Sequence, residues 1–328
     1  MSTSVPLAPV LDPRKEQLAS AEPRLLVSIR NADEARLARS VGVDWIDLKN
    51  PGGGSLGAAD ELTCVAVAKE LAHFSNPVHS AGCVSSAAVG ELRDSPLATA
   101  RYLAQHFSLL KVGLSGMRER DGWSTALVDF SRQLQFLGAC LVPVIYADYE
   151  LCSAPTPTQV IEVSEQMDRA TDRRSDPRQM DRATDRRSDE RQMDGATDPR
   201  SDERLKSARI SEVVEHGNGQ FGSVNSSTRY HSLTKAAPKY LLVDTFTKDG
   251  RGLLDWLEVP ELEAIIQHAG QVGRQIVLAG SLSQRDLPKL RNLPVAAIAV
   301  RGAVCANDRR SEVCPLKLQQ WVELFRNG

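Results

Sequence analysis

The order of apolar and polar stretches constrains the fold of this chain more than any single motif. From Arg24 onward, short apolar runs alternate with segments of helical periodicity. Short, nearly continuous apolar runs read as strands buried on both faces. Strands are predicted at 24–30 (RLLVSIR), 45–50 (WIDLKN), 77–83 (PVHSAGC), 108–114 (SLLKVGL), 141–148 (LVPVIYAD), 239–246 (KYLLVDTF), 275–282 (QIVLAGSL) and 296–304 (AAIAVRGAV). Helices are expected at 31–41 with Asn31 as N-cap, 58–74, 86–106 with a break near Pro96, 122–137, 259–270, 283–292 and 315–326. Strands separated by helices pair in parallel, and eight of them predict a closed (β/α)8 barrel of the TIM type. An open doubly wound sheet would call for a GxGxxG turn after the first strand, and SIRNADE (28–34) is not one.

One region breaks the alternation. Residues 166–204 are three copies of a 13-residue unit: QMDRATDRRSDPR, QMDRATDRRSDER and QMDGATDPRSDER. The unit is almost wholly polar, with no apolar face to bury, which predicts a disordered or weakly helical insertion between the fifth and sixth strands. Low apolar content extends this expectation to about residue 235. Residues 1–22 are expected to be a disordered tail, and 23–328 a single barrel domain interrupted by the repeat.

Composition narrows the function classes. A net charge of −2 gives no basic field for nucleic acid. No apolar run reaches the roughly 18 residues of a membrane span. The six cysteines (Cys64, Cys83, Cys140, Cys152, Cys305, Cys314) form no CxxC pair and no histidine cluster accompanies them, so no metal is expected and a reducing cytoplasm is. No surface patch defines an assembly, and a homo-oligomer stays open.

In such a barrel the site lies at the C-terminal ends of the strands. Asp47 and Lys49 end the second strand, Lys111 lies on the fourth, Asp244 ends the sixth with Lys248 in its loop, and Arg301 ends the eighth. Tyr146 and Asp148 end the fifth. Interior layers of these barrels draw on alternate strands, so Lys49, Lys111, Asp244 and Arg301 can meet. Burial and neighbouring cations lower a lysine pKa toward neutrality, where the amine attacks a carbonyl to form a Schiff base. The bland alternative is a set of solvated rim residues and structural ion pairs. Gly280-Ser281 and Arg301-Gly302 end the last two strands, where such barrels bind phosphate, and Gly52-Gly53-Gly54 offers a second backbone cradle.

The stretch LLVSIRNADEARLARSVGVDWIDLKNPGGGSLGA (25–58) resembles the start of the (5-formylfuran-3-yl)methyl phosphate synthase family of methanofuran biosynthesis. LLKVGL, YAD, LVDTFTKDG, LAGSL and AVRGAVC follow in the family's order, so the resemblance covers about 24–148 and 239–310 and leaves the tail and the repeat outside. It implies a (β/α)8 lyase that condenses two molecules of glyceraldehyde 3-phosphate. It further implies Lys49 as the Schiff-base lysine, Lys111 as proton acceptor, and Asp47, Asp244 and Lys248 as supporting residues. No cofactor is implied, because the iminium is itself the electron sink. Two rivals stay open: another Schiff-base aldolase acting on a phosphorylated carbonyl compound, and a non-catalytic barrel that binds sugar phosphates.

Overall fold

The computed structural model describes residues 22–72, 83–172 and 239–327. Within them β1 (Arg24–Ile29), β2 (Trp45–Leu48), β3 (Val84–Glu91), β4 (Leu109–Gly113), β5 (Cys140–Tyr146), β6 (Lys239–Asp244), β7 (Arg274–Leu278) and β8 (Ala297–Val300) form a closed parallel barrel in sequence order. The helices described are α1 (Ala32–Ser40), α2 (Glu61–Ala72), α3 (Leu97–Leu103), α4 (Trp123–Phe136), α5 (Pro157–Asp172), α6 (Val259–Gln271), α7 (Leu287–Leu290) and α8 (Pro315–Arg326). The predicted TIM-type barrel is the observed fold.

Period-2 alternation divides the strand residues between two cores. Leu25, Val27 and Ile29 of β1 and Ile46 and Leu48 of β2 join the large apolar layer shared with the helices. Leu26, Trp45, Val142, Val144, Leu242, Val277 and Ala299 belong to a separate, smaller core that fills the barrel. Both faces of each strand are thereby covered, which explains the nearly unbroken apolar runs. Asn31 caps α1 as expected, its side chain accepting the Glu34 N–H at 2.9 Å.

The third strand departs from expectation. Residues 77–82 of the expected strand lie outside the described residues, and the strand that closes the barrel is Val84–Glu91, partly where a helix was expected. The sequence VSSAAVGE is made mostly of small residues and carries no long apolar run, so it gives little sign of a buried strand. Burial between β2 and β4 nonetheless makes it one. Small side chains are what this wall requires, because Ser86 sits beside Asp47 in the β2–β3 register and Ala88 beside Lys111 in the β3–β4 register. A register shift follows between Ala88 and Gly90, where Gly90 adopts a φ of 99° that a β-substituted residue resists.

The repeat begins inside a described helix. Gln166 to Asp172, its first residues, continue α5, and Met167 is buried against the outer core. The statement that the unit buries nothing therefore fails for its first methionine. The remainder of the repeat, residues 205–235 and residues 1–21 lie outside the described residues. An Arg274 guanidinium nitrogen, at the start of β7, donates to the carbonyl of Ser164 in α5, so α5 descends toward the N-terminal face of the barrel. Asp172 and Lys239, the described residues that flank 173–238, thus lie at the end of the barrel opposite the strands' C-terminal ends.

Candidate active site

The barrel interior becomes polar as it rises. At the bottom Trp45 and Tyr240 meet edge to face, ring centroids 4.9 Å apart, and close the interior. Two residues further along β2, Asp47 is fully buried and would be costly there without partners. It has three: Ser86 Oγ donates at 2.7 Å, Ser28 Oγ at 3.1 Å, and Lys111 Nζ lies 2.5 Å away. Trp45 Nε1 donates to Ser86 Oγ at 3.0 Å, which commits the serine proton to Asp47. Lys111, equally enclosed, is held as one half of this pair.

A second carboxylate ends β6. Asp244 accepts from the Thr245 N–H at 2.8 Å and from Lys248 Nζ at 2.8 Å, with Ser55 Oγ at 3.3 Å. Burial pushes its pKa up, but Lys248 and Lys49 outweigh burial and hold the carboxyl below the usual aspartate range. Lys248 Nζ also donates to Thr245 Oγ1 at 3.0 Å. The loop that carries Lys248 is fixed by Asp148, whose two oxygens accept the Phe246 and Thr247 N–H groups, each at 2.7 Å.

Lys49 is related to both carboxylates and bonded to neither. Its amine makes no hydrogen bond or ion pair among the described residues, although only 9% of the residue is exposed. Burial lowers its pKa most, Asp244 and Asp47 oppose that, and Lys111 and Lys248 reinforce it, leaving the amine at about 8. At pH 7 such an amine is neutral in roughly one molecule in ten, against about one in 3,000 for an ordinary lysine.

Lys49, Lys111, Asp244 and Lys248 share the wall of an open cavity of about 230 Å³, small for a ligand site and suited to a compact substrate. Gly280, Ser281, Arg301 and Gly302 also line it. Asp47 lies behind Lys111 and supports it. The N–H groups of Ser281, Leu282, Gly302 and Ala303 have no protein acceptor among the described residues. Gly280 is forced: its φ is 106°, and a Cβ there would press on Thr245 and Leu253 at 3.1 and 3.3 Å.

Two expected anion ligands need correction. Every guanidinium N–H of Arg301 is already engaged. Nε donates to the Arg309 carbonyl at 3.0 Å, Nη1 to Ser28 O at 3.0 Å and Glu34 Oε2 at 2.5 Å, and Nη2 to Glu34 Oε1 at 3.2 Å and Ser311 O at 2.9 Å. Arg301 is a brace between β8 and the start of α1, with no donor left for phosphate. Gly52, Gly53 and Gly54 do not line the cavity. Gly52 faces a separate depression with Arg30 and Arg310, its N–H is taken by Asn50 Oδ1 at 2.9 Å, and the Gly54 carbonyl is held by Arg309.

Sequence reading also missed participants. Ser28, Ser55 and Ser86 are undistinguished by type, and Glu34 reads as an ordinary first-turn acid of α1. Arg309 lines the cavity from the segment after β8. The residue type and its place beyond a strand's C-terminal end were the only available signals.

Among the described residues no group of histidine, cysteine, aspartate or glutamate is arranged to hold a metal, and no helix is long and apolar enough to cross a membrane. The sequence profile of the 4-HFC-P synthase family matches residues 25–171 and 187–322. A (5-formylfuran-3-yl)methyl phosphate synthase from Methanosarcina acetivorans is 25% identical over 293 residues, covering 88% of this chain and 94% of the relative. One from Methanopyrus kandleri is 27% identical over 292 residues, covering 88% and 92%. A Methylorubrum extorquens protein given the same name provisionally is 25% identical over 314 residues, covering 95% of each. The family match is wider than the stretches quoted above: it reaches into the repeat on both sides and skips only 172–186 between its two blocks.

Proposed function

This chain belongs to the 4-HFC-P synthase family, and on that premise we propose that it condenses two molecules of glyceraldehyde 3-phosphate into (5-formylfuran-3-yl)methyl phosphate. The reaction runs through a Schiff base on Lys49 and releases phosphate and water. The observation that carries the proposal is the Lys49 amine: enclosed, without a hydrogen-bond partner among the described residues, and beside two carboxylates already paired with other lysines.

Each residue then has work suited to its surroundings. One glyceraldehyde 3-phosphate first isomerises through its enediol, a proton moving from C2 to C1, and neutral Lys49 then attacks the resulting ketone and, with loss of water, becomes an iminium. Removal of a proton from the adjacent carbon gives an enamine, with Lys111 as acceptor. Lys111 reaches that state by passing a proton toward Asp47, 2.5 Å away, which Ser28 and Ser86 hold in place. The enamine attacks the aldehyde of the second triose phosphate, forming the new carbon–carbon bond. Lys248, held by Asp244, donates a proton to the departing oxygen or phosphate. Ring closure and dehydration give the aromatic furan, and its release returns Lys49. The open N–H groups of Ser281, Leu282, Gly302 and Ala303 bind a substrate phosphate, as loops seven and eight do in many such barrels. The product would feed a methanofuran-type carrier of one-carbon units.

The test is to incubate the protein with glyceraldehyde 3-phosphate and follow the ultraviolet band of a conjugated furan aldehyde, with Lys49→Ala in parallel. Absorbance that grows only with Lys49 present supports the reaction and the nucleophile together. No furan, but a borohydride-trapped adduct on Lys49, would replace it with a different Schiff-base aldolase. Neither furan nor adduct would favour the non-catalytic binder.

A further inference from the structure

A phosphate held only by backbone N–H groups keeps most of its charge uncompensated, and such sites ordinarily add a cation, best a guanidinium whose fork matches two oxygens. The cavity's cations can be sorted by what they already hold. Lys111 is paired with Asp47 and Lys248 with Asp244. Lys49 is reserved for the carbonyl, and Arg301 has no free donor. Arg309 is left. Its guanidinium makes one hydrogen bond, Nη2 to the Gly54 carbonyl at 3.0 Å, and no ion pair among the described residues.

Its placement is imposed from two sides. The Arg309 carbonyl accepts from Arg301 Nε at 3.0 Å, so the Arg301–Glu34 brace fixes the backbone that carries Arg309. A Cβ on Gly302 would lie only 3.8 Å from the Arg309 Cβ. Arg309 therefore rises beside the unbonded N–H groups of Gly302 and Ala303. The side chain is half-buried, and that burial lowers its pKa, with nearby Asp244 acting in the opposite sense. A half-buried cation on the cavity wall, with four of its five N–H donors lacking a protein acceptor among the described residues, is suited to receive an anion.

We infer that Arg309 clamps the substrate phosphate against the loops after β7 and β8, and so makes the site selective for phosphorylated over unphosphorylated carbonyl compounds. This rests on reading the cavity as a phosphate site, but not on which carbonyl compound reacts there.

The experiment is a calorimetric titration of the intact protein with inorganic phosphate, for wild type, Arg309→Gln and Arg309→Lys. Glutamine keeps a donor for the Gly54 carbonyl and removes the charge; lysine keeps the charge and removes the fork. Phosphate binding should weaken about 10- to 100-fold in R309Q and by less in R309K. Borohydride trapping on Lys49 with glyceraldehyde 3-phosphate and with glyceraldehyde supplies the second readout. The preference for the phosphorylated aldehyde should collapse toward unity in R309Q. Unchanged phosphate binding in R309Q, an intact preference, or a wild type that binds no phosphate at millimolar concentration would each overturn the assignment. Should phosphate binding depend on Arg309 while no furan forms, the clamp stands and the proposed reaction falls.

Discussion

Arg301 and Lys49 stand at the C-terminal ends of two even-numbered strands and are almost equally enclosed, at 6% and 9% exposure. Their surroundings are opposite. Arg301 meets a carboxylate and three carbonyls that use all its donors. Lys49 meets two carboxylates whose nearest contacts are with other lysines. Burying a cation is costly, and these are the two ways of meeting the cost. Arg301 is fully paired, so it stiffens the corner between β8 and α1. Lys49 is left without a partner among the described residues and its pKa falls to about 8, which suits it to the nucleophilic role proposed above. Burial alone does not distinguish a brace from a nucleophile; the accounting of donors does.

Removing Lys49 breaks the contrast most sharply. Lys49→Met should lower turnover on the order of 10³-fold or more. It should also stabilise the protein at pH 7, by up to about 3 kcal/mol, because the folded state no longer holds a depressed amine. Chemical denaturation measured beside the furan assay checks both, and a variant that is inactive and less stable would make Lys49 a structural residue. Lys111→Met strands Asp47 without its cation. It should cost about 3–5 kcal/mol of stability, and turnover should fall about 10²- to 10⁴-fold through loss of the proton acceptor.

Glu34→Gln tests the other side. It leaves Arg301 a buried cation without its carboxylate, and denaturation should report a loss of about 3–5 kcal/mol. Turnover per folded molecule should change less than for either lysine. A loss below about 1 kcal/mol would mean that the brace is no more than a surface pair. The smallest effect is a pH signature. Lys49 titrates at about 8 in the folded chain and near 10.5 unfolded, so between those values the unfolded chain holds more protons and stability rises with pH. Below about 8 the destabilisation is present in full. Wild type should gain stability over that window relative to Lys49→Met, and borohydride trapping should accelerate with pH to a plateau above about 8. A trapping rate still rising toward pH 10 would restore an ordinary lysine.

The barrel was legible because burial on both strand faces writes itself into sequence as continuous apolar runs. The one misplaced strand shows the limit of that rule. Val84–Glu91 is built mostly from small residues that sit beside Asp47 and Lys111 on its neighbours, and small residues without a bulky apolar run do not read as a strand until those neighbours are known. The lysines and aspartates of the cavity were visible for a different reason: a charge at the end of an apolar strand stands out. Their pairings were not visible. Ser86 reaches Asp47 across 39 positions, Ser55 reaches Asp244 across 189 and Arg301 reaches Glu34 across 267. For that reason Arg301 was read as a phosphate ligand, and Arg309, which takes its orientation from Arg301, was not read at all.

Asp172, already inside the polar repeat, and Lys239 bracket 173–238 at the end of the barrel remote from the cavity. Lengthening a flexible connection costs chain entropy only logarithmically, about 0.6 kcal/mol per doubling. A change of length between those two anchors adds nothing to the described strands that position Lys49, Lys111 and Asp244.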